Sequence, residues 1–358
     1  MDPPPEYSNS VPDGLPGYES MLTEGEGGLC HPPALFYPHP QPETQPSGLN
    51  WNIEPLSKDD AQQALIRYAS EKCCYSTKPA EEGVITSMET FDTYRYRLET
   101  FTETRTTKWS QRPYYGEQID NRGQTPPGPW EIPVNVPPFF LEGSQIIEVP
   151  HTSSVKACPS CNATGRVLCM SCCGTGSRGC YSCGGMGYTY FLQDRQMCLV
   201  CFGRGRTTCF ACHGIGQIDC LVCLGKRKII ASIDLVVEWL NNMDQHTVEQ
   251  SSGLKMVKLN SVSGETLFTD TNHMVCPVTN FPDPEVVQTS QQLLGKHQEE
   301  YLKTSRILQQ RQTIELLPIT KVTYEWKGKS HVFFVYGSDF KVSAVNYPAA
   351  CCGCCTVM

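Results

Sequence analysis

Twelve cysteines are the residues of this chain best placed to do chemistry. They form six Cys-x-x-Cys pairs: Cys158/Cys161, Cys169/Cys172, Cys180/Cys183, Cys198/Cys201, Cys209/Cys212 and Cys220/Cys223. Successive pairs start eleven residues apart except for one central step of eighteen, so the series reads the same in both directions. A Cys-x-x-Cys turn offers two thiolates from one tight bend, and tetrahedral zinc takes four soft ligands, so two turns close one site. The expectation is three zinc ions.

The mirror symmetry fits an antiparallel arm in which the first pair meets the sixth, the second the fifth and the third the fourth. Sequential pairing, first with second and so on, also gives three sites, and the spacing leaves both open. Glycine recurs after the pairs, as in Cys172-Cys-Gly-Thr-Gly176, Cys183-Gly-Gly-Met-Gly187, Cys201-Phe-Gly-Arg-Gly205 and Cys212-His-Gly-Ile-Gly216. Glycine tolerates positive φ and lets backbone amides turn toward the sulfurs. The last pair keeps Gly225 but has Arg227 at the second glycine place. On these residues the segment resembles the cysteine-rich domain of DnaJ-type chaperones, whose motif is C-x-x-C-x-G-x-G. That domain carries four motifs at wider spacing, so the count of six here is not inherited from it.

Other uses of the same sulfurs fit less well. Disulfide frameworks belong to secreted chains, and the first residues show neither a basic region nor an apolar run. An iron–sulfur cluster would use the same ligands, but repeated glycine-bearing turns favour zinc. Cys173 and His213 each adjoin a ligand and read as bystanders, either of which could substitute in one site.

The formal net charge of the 358 residues is -8, and nearly all of the excess sits in residues 1–50, which hold seven Asp and Glu and no Lys or Arg. Eleven of the 27 prolines fall there too, a composition that reads as a disordered tail. Within it Pro4-Pro5-Glu6-Tyr7 matches the PPxY ligand of WW domains and Leu15-Pro16-Gly17-Tyr18 resembles the LPxY variant. A preformed polyproline conformation docks at little entropic cost. Pro4, Pro5, Tyr7, Leu15, Pro16 and Tyr18 are therefore candidate partner-binding residues. No stretch reaches the roughly eighteen apolar residues of a spanning helix.

Folded structure is expected from about Trp51. Ser57 is placed to cap a helix carrying Ala61, Ala64, Leu65, Tyr68 and Ala69 up to Cys73-Cys74. From Thr90 the period becomes two, with Tyr94, Tyr96 and Leu98 alternating with Arg95, Arg97 and Glu99 and on through Arg105, which predicts a strand with one wet face. A Pro-rich crossover at 125–138 precedes a strand at about Gln145–Val149. After the cysteines, Ile229, Ala231, Ile233, Leu235, Val237 and Trp239 share one strand face. Asp283-Pro284 opens a helix expected to carry Val286, Val287, Leu293, Leu294, Tyr301, Leu302 and Leu308, and the last element is a hairpin, 321–326 and 331–336, turning at 327–329.

A strand enters the cysteine arm and another leaves it, so the fold class is α+β: a β-rich body with a few helices and an inserted, extended arm. The expected segments are a disordered tail (1–50), an α/β segment (51–156), the zinc arm (157–226), a β-rich segment with one long helix (227–347) and a cysteine-rich tail (348–358). Over roughly residues 50 to 350 this pattern, with its Tyr-Glu-Trp-Lys-Gly-Lys hairpin, resembles the Ssu-two homologue family. The resemblance implies a DnaJ-related zinc protein without a settled activity.

A J-domain needs His-Pro-Asp, which the chain lacks, so stimulation of an Hsp70 by that route is not expected. Walker, Gly-x-Ser-x-Gly and His-Glu-x-x-His motifs are absent as well, and no dinucleotide fingerprint is found in a strand–turn–helix setting. Between Cys158 and Cys223 five arginines face two aspartates, and three tetrathiolate zinc sites each add two negative charges. Phosphate affinity follows positive charge, so nucleic acid is not an expected partner. Cys-x-x-Cys pairs can also cycle as dithiols, which keeps a thiol–disulfide oxidoreductase as the alternative.

The segment Cys351-Cys352-Gly353-Cys354-Cys355-Thr356-Val357-Met358 ends in a C-a-a-X pattern that places a prenyl group on Cys355. One prenyl chain anchors marginally, and Cys351, Cys352 and Cys354 are candidates for palmitoylation. The expected protein is a non-catalytic, zinc-binding, chaperone-like adaptor or scaffold for protein clients or chaperone machinery. It is expected in the cytoplasm with a fraction on the cytosolic face of membranes, and a nuclear pool is compatible with the same features.

Overall fold

The computed structural model describes residues 27–33, 46, 55–120, 124–191 and 194–349. In chain order these form β1 (Gly27–Leu29), α1 (Lys58–Ser70), α2 (Lys78–Glu82), β2 (Val84–Thr90), β3 (Thr93–Pro113), β4 (Gly143–Glu148) and β5 (Ser154–Ala157). Six short arm strands follow: β6 (Arg166–Leu168), β7 (Ser177–Gly179), β8 (Tyr188–Phe191), β9 (Asp194–Met197), β10 (Arg206–Thr208) and β11 (Gln217–Asp219). The rest is β12 (Lys228–Thr247), β13 (Glu265–Asn272), α3 (Pro284–Tyr301), β14 (Arg306–Leu317), β15 (Ile319–Trp326), β16 (Lys329–Tyr336) and β17 (Lys341–Ser343). The protein is strand-rich with few helices, as its patterning predicts.

Two compact units interleave along the chain. One draws on Met1–Cys30, Arg105–Val134 and Ser144–Val237, the other on His31–Thr104, Asn135–Gly143 and Glu238–Met358, and β3 and β12 run through both. In the first unit β1 pairs with the far end of β3, and the start of β12 pairs with β5. The tail read as disordered thus contributes one short strand, whose neighbour Cys30 is buried.

In the second unit β14 lies between β13 and the first half of β3, antiparallel to both. Helix α3 covers one face of this sheet with Val286 and Leu294 against Tyr96, Leu98 and Ile314. Its start is the predicted one, since the Asp283 carboxylate accepts from the Glu285 amide at 2.8 Å and Pro284 occupies the first turn. A second sheet, β17-β16-β15-β2, packs on α1 through Ala61, Ala64, Leu65, Val322 and Phe333. The Ser57 hydroxyl caps α1 by accepting from the Asp60 amide at 3.1 Å.

Two expectations are corrected. Leu308 lies on β14, because α3 ends at Tyr301 and the chain turns into a strand five residues later. The face of β3 expected to be wet is largely buried: Arg95, Glu99, Glu103 and Arg105 are all under 9% exposed. Cross-strand charge pairing accounts for Arg95 and Glu99, while Glu103 accepts from the Trp239 indole and Arg105 donates to the Pro129 and Ile132 carbonyls. Glu315 stands opposite Arg95 and accepts from its Nε at 2.6 Å, and Arg311 stands opposite Glu99 and donates to both of its oxygens, at 2.6 and 2.9 Å.

Candidate metal centre

The arm folds back on itself in constant register. Val167 faces Ile218, Arg178 faces Thr207 and Thr189 faces Gln196, so a step of eleven along one side matches eleven back along the other. The central gap of eighteen is accounted for by the β8–β9 hairpin, the innermost of the three ladders.

This register settles the pairing that the spacing left open. The sulfurs converge as Cys158, Cys161, Cys220 and Cys223; Cys169, Cys172, Cys209 and Cys212; and Cys180, Cys183, Cys198 and Cys201, all buried and within 4.8 Å of one another in each group. The arrangement is nested. Sulfurs from opposite sides lie 3.7 to 3.8 Å apart in every group. A disulfide would need about 2.05 Å, whereas four sulfurs about 2.3 Å from one tetrahedral zinc stand about 3.8 Å apart. Each group fits a single metal ion and is compatible with zinc. A multi-iron cluster would need its ligands spread around several metals.

The backbone is built to hold these sulfurs. In five turns the amide of the glycine four residues after the second cysteine donates to that cysteine's sulfur at 3.2 to 3.3 Å, from Gly165, Gly176, Gly187, Gly205 and Gly216. The carbonyl of the same position accepts from the first cysteine amide of the facing turn, as in Gly176 O with Cys209 N at 2.8 Å and Gly216 O with Cys169 N at 2.9 Å. A Cβ on Gly176 would lie 2.2 Å from the Gly214 carbonyl oxygen, at a φ of +72°. Glycine is therefore required by the facing turn as well as by the dihedral.

Gly176→Ala should weaken metal binding at the middle group by about tenfold or more, since a left-handed L-residue alone costs about 1–2 kcal/mol. Gly179→Ala, where a Cβ meets nothing within 4 Å, should not. Titration of both variants against a competing chelator measures the difference.

Electrostatics favour a bound cation. In the first group burial pushes the Cys158 thiol up to about 12; burial also acts on Cys161, but the Gly165 amide and bonds from neighbouring cysteines outweigh it and bring it down to about 7. Burial raises Cys169 to about 11 in the second group, whereas at Cys212 it is outweighed by the Gly216 amide and the value falls to about 7. In the third the Cys201 amide draws Cys198 down to about 6 while burial lifts Cys201 to about 11. Four close sulfurs cannot all ionise unaided, so a divalent ion that binds them must displace protons.

Cys173 and His213 join none of the groups; both are exposed and occupy the left-handed position just after a second cysteine, at φ of 49° and 48°. That position is left-handed after all six pairs, with Asn162, Gly184, Phe202 and Leu224 at the others. The glycine pattern gave no hint of it, because five of the six residues are not glycine. The sequence does carry another signal. The residue after each first cysteine is Pro159, Met170, Tyr181, Leu199, Phe210 or Leu221, and the last five are large, apolar and 76 to 87% exposed. The candidate lipid acceptors Cys351, Cys352, Cys354 and Cys355, and the candidate WW ligands Pro4, Pro5, Tyr7, Leu15, Pro16 and Tyr18, lie outside the described residues.

No family model matches the chain, and no solved structure matches it significantly. Curated relatives do. A Danio rerio protein named Protein SSUH2 homolog is 52% identical over 97% of this chain and 94% of its own length. A Homo sapiens protein of the same name is 41% identical over 96% of the chain and 92% of its own, and one from Mus musculus is 40% identical over 83% and 88%. With identity at this level across nearly the whole length, the chain belongs to the SSUH2 homologue family, the Ssu-two homologue family that its cysteine spacing resembles.

Proposed function

We propose that this chain is a non-catalytic, zinc-binding, chaperone-like adaptor or scaffold whose arm takes up apolar segments of protein clients or partners. One observation carries the reading. Met170, Tyr181, Leu199, Phe210 and Leu221 project from five of the six metal-holding turns, and Tyr190, Phe191 and Met197 are exposed on the β8–β9 hairpin. Large apolar side chains left exposed at the same place in five turns support a contact role, and rigid turns present them with little ordering cost. Zinc at the three sulfur groups supplies the rigidity. Burial of all twelve ligand sulfurs supports contact over dithiol exchange, which needs an accessible thiolate.

The same proposal includes attachment to the cytosolic face of membranes through a prenyl group on Cys355, with Cys351, Cys352 and Cys354 as further acceptors, and recruitment of WW-domain proteins by Pro4–Tyr7. Labelling with a farnesyl analogue in wild type and Cys355→Ser tests the anchor.

The arm's role is tested by replacing the five turn residues with serine, which leaves every ligand in place. Each buried Leu, Met or Phe side chain contributes about 1.5–3 kcal/mol, so suppression of client aggregation should weaken by on the order of tenfold or more, with zinc content unchanged. Undiminished suppression would remove the arm from the account. Turnover of scrambled ribonuclease by the zinc-loaded chain would mark the oxidoreductase instead.

A further inference from the structure

The three metal groups are alike in their sulfurs but not in the turns that hold them. Two and four residues beyond each second cysteine the backbone is left-handed in all six turns. The middle group and the one at the tip have glycine at every one of these places, whereas the group at the root of the arm has Ala163 at φ of 60° and Arg227 at φ of 70°. A Cβ makes that conformation costly, by on the order of tenfold in an equilibrium for each residue. The amide donors differ too. Two glycine amides reach sulfur in each of the other groups, but the root group receives only that of Gly165 on Cys161. Among the described residues no amide donates to the Cys223 sulfur, where Arg227 stands in the donor's place.

This group also closes the strand junction beneath the arm. Cys158 directly follows β5 and Arg227 directly precedes β12, Ala157 pairs with Lys228, the Cys158 amide donates to the Arg227 carbonyl at 2.9 Å, and Ile229 packs with the four cysteines. We propose that Cys158, Cys161, Cys220 and Cys223 form the exchangeable zinc site of this chain, the weakest of the three and the first to empty, with Ala163 and Arg227 setting the difference. Loss of metal lets both residues leave the left-handed region, a relief that the all-glycine groups lack. A missing outer-shell contact to a ligand costs about 10–100-fold in affinity. Strain and the lost amide together place this site on the order of a hundredfold or more below the others. Zinc supply then governs the strand junction while the middle and tip groups stay closed. The inference rests on the reading that zinc fills all three groups, and adds to it a graded response.

Stepwise removal of zinc from the loaded full chain by a competing chelator, read by native mass spectrometry and amide hydrogen exchange, tests this. The count should fall from three to two at a free-zinc level about a hundredfold above that at which the other two ions leave. In the two-zinc state protection should be lost at the Cys158 and Cys220 amides, which bond to Arg227 and Gly165, and kept at those of Cys169, Cys180, Cys198 and Cys209. Ala163→Gly/Arg227→Gly removes no ligand and supplies the residues that the other groups use, so it should bring the first step down to the level of the other two. Protection lost first in the middle or tip group, all three ions leaving wild type at one zinc level, or a first step that the glycine variant does not move overturns the inference and leaves the metal centre standing. A chain that takes up no zinc at all would instead contradict the metal centre itself, and this inference with it.

Discussion

Stripping zinc with a strong chelator is expected to unfold residues 158–223 while the β13–β14–β3 sheet persists. The arm has little else to hold it. Its ladders are three or four residues long, and its buried clusters consist of the cysteines with Val167 and Ile229 at one group, Ile218 at the next and no other apolar residue at the third. Ladders so short do not stand alone in water, whereas a structural zinc site contributes about 10–16 kcal/mol of apparent folding free energy in small zinc-finger peptides. Amide hydrogen exchange reads the outcome. Protection at Cys169, Cys180, Cys198 and Cys209, whose amides bond across the arm, should vanish with the metal, and protection along β14 should remain. Acid should do the same as chelator, because each thiolate must be deprotonated to bind. Protection that survives complete metal removal would mean that something other than metal holds the arm.

The second large effect concerns the charged face of the second unit. Arg95 is 2% exposed, and its guanidinium bonds Glu315 together with the carbonyl oxygens of Leu259 and Val262. Glu315→Ala leaves that cation buried with only carbonyl partners. Breaking a buried pair on one side costs about 3–5 kcal/mol, and urea unfolding should show a loss of this size. Replacing both partners, as Arg95→Met with Glu315→Leu, should recover most of it, since removal of both charges leaves no buried ion uncompensated. A single variant as stable as wild type would show that water reaches Arg95.

Those same residues show why sequence alone misplaced this face. Alternation of Arg, Glu and Tyr along β3 has the pattern of a half-solvated strand, and nothing local distinguishes a charge facing water from one facing its partner on β14, more than two hundred residues away. Strand β14 itself was hidden by Gln309, Gln310, Arg311 and Gln312, whose polarity conceals a segment in which Gln310 and Gln312 are buried. Leu308 then read as the last turn of a helix. What could be read were features with local causes: the Ser57 and Asp283 caps, the 321–336 hairpin and the cysteine spacing. Spacing was enough to expect three sulfur groups, because equal steps on both sides of a fold-back are a geometric condition, but the choice of nested over sequential pairing needed the register of the folded arm. The left-handed residues after each pair and the contact between facing glycines depend on two turns meeting, which one turn's sequence does not state.

Counting zinc in paired substitutions tests the nested metal arm most directly. Cys161→Ser/Cys223→Ser removes two ligands of one group and should lower the native zinc count by one, whereas Cys161→Ser/Cys172→Ser damages two groups and should lower it by two. The reverse pattern would show sequential pairing, and a wild-type arm without zinc would contradict the metal centre altogether.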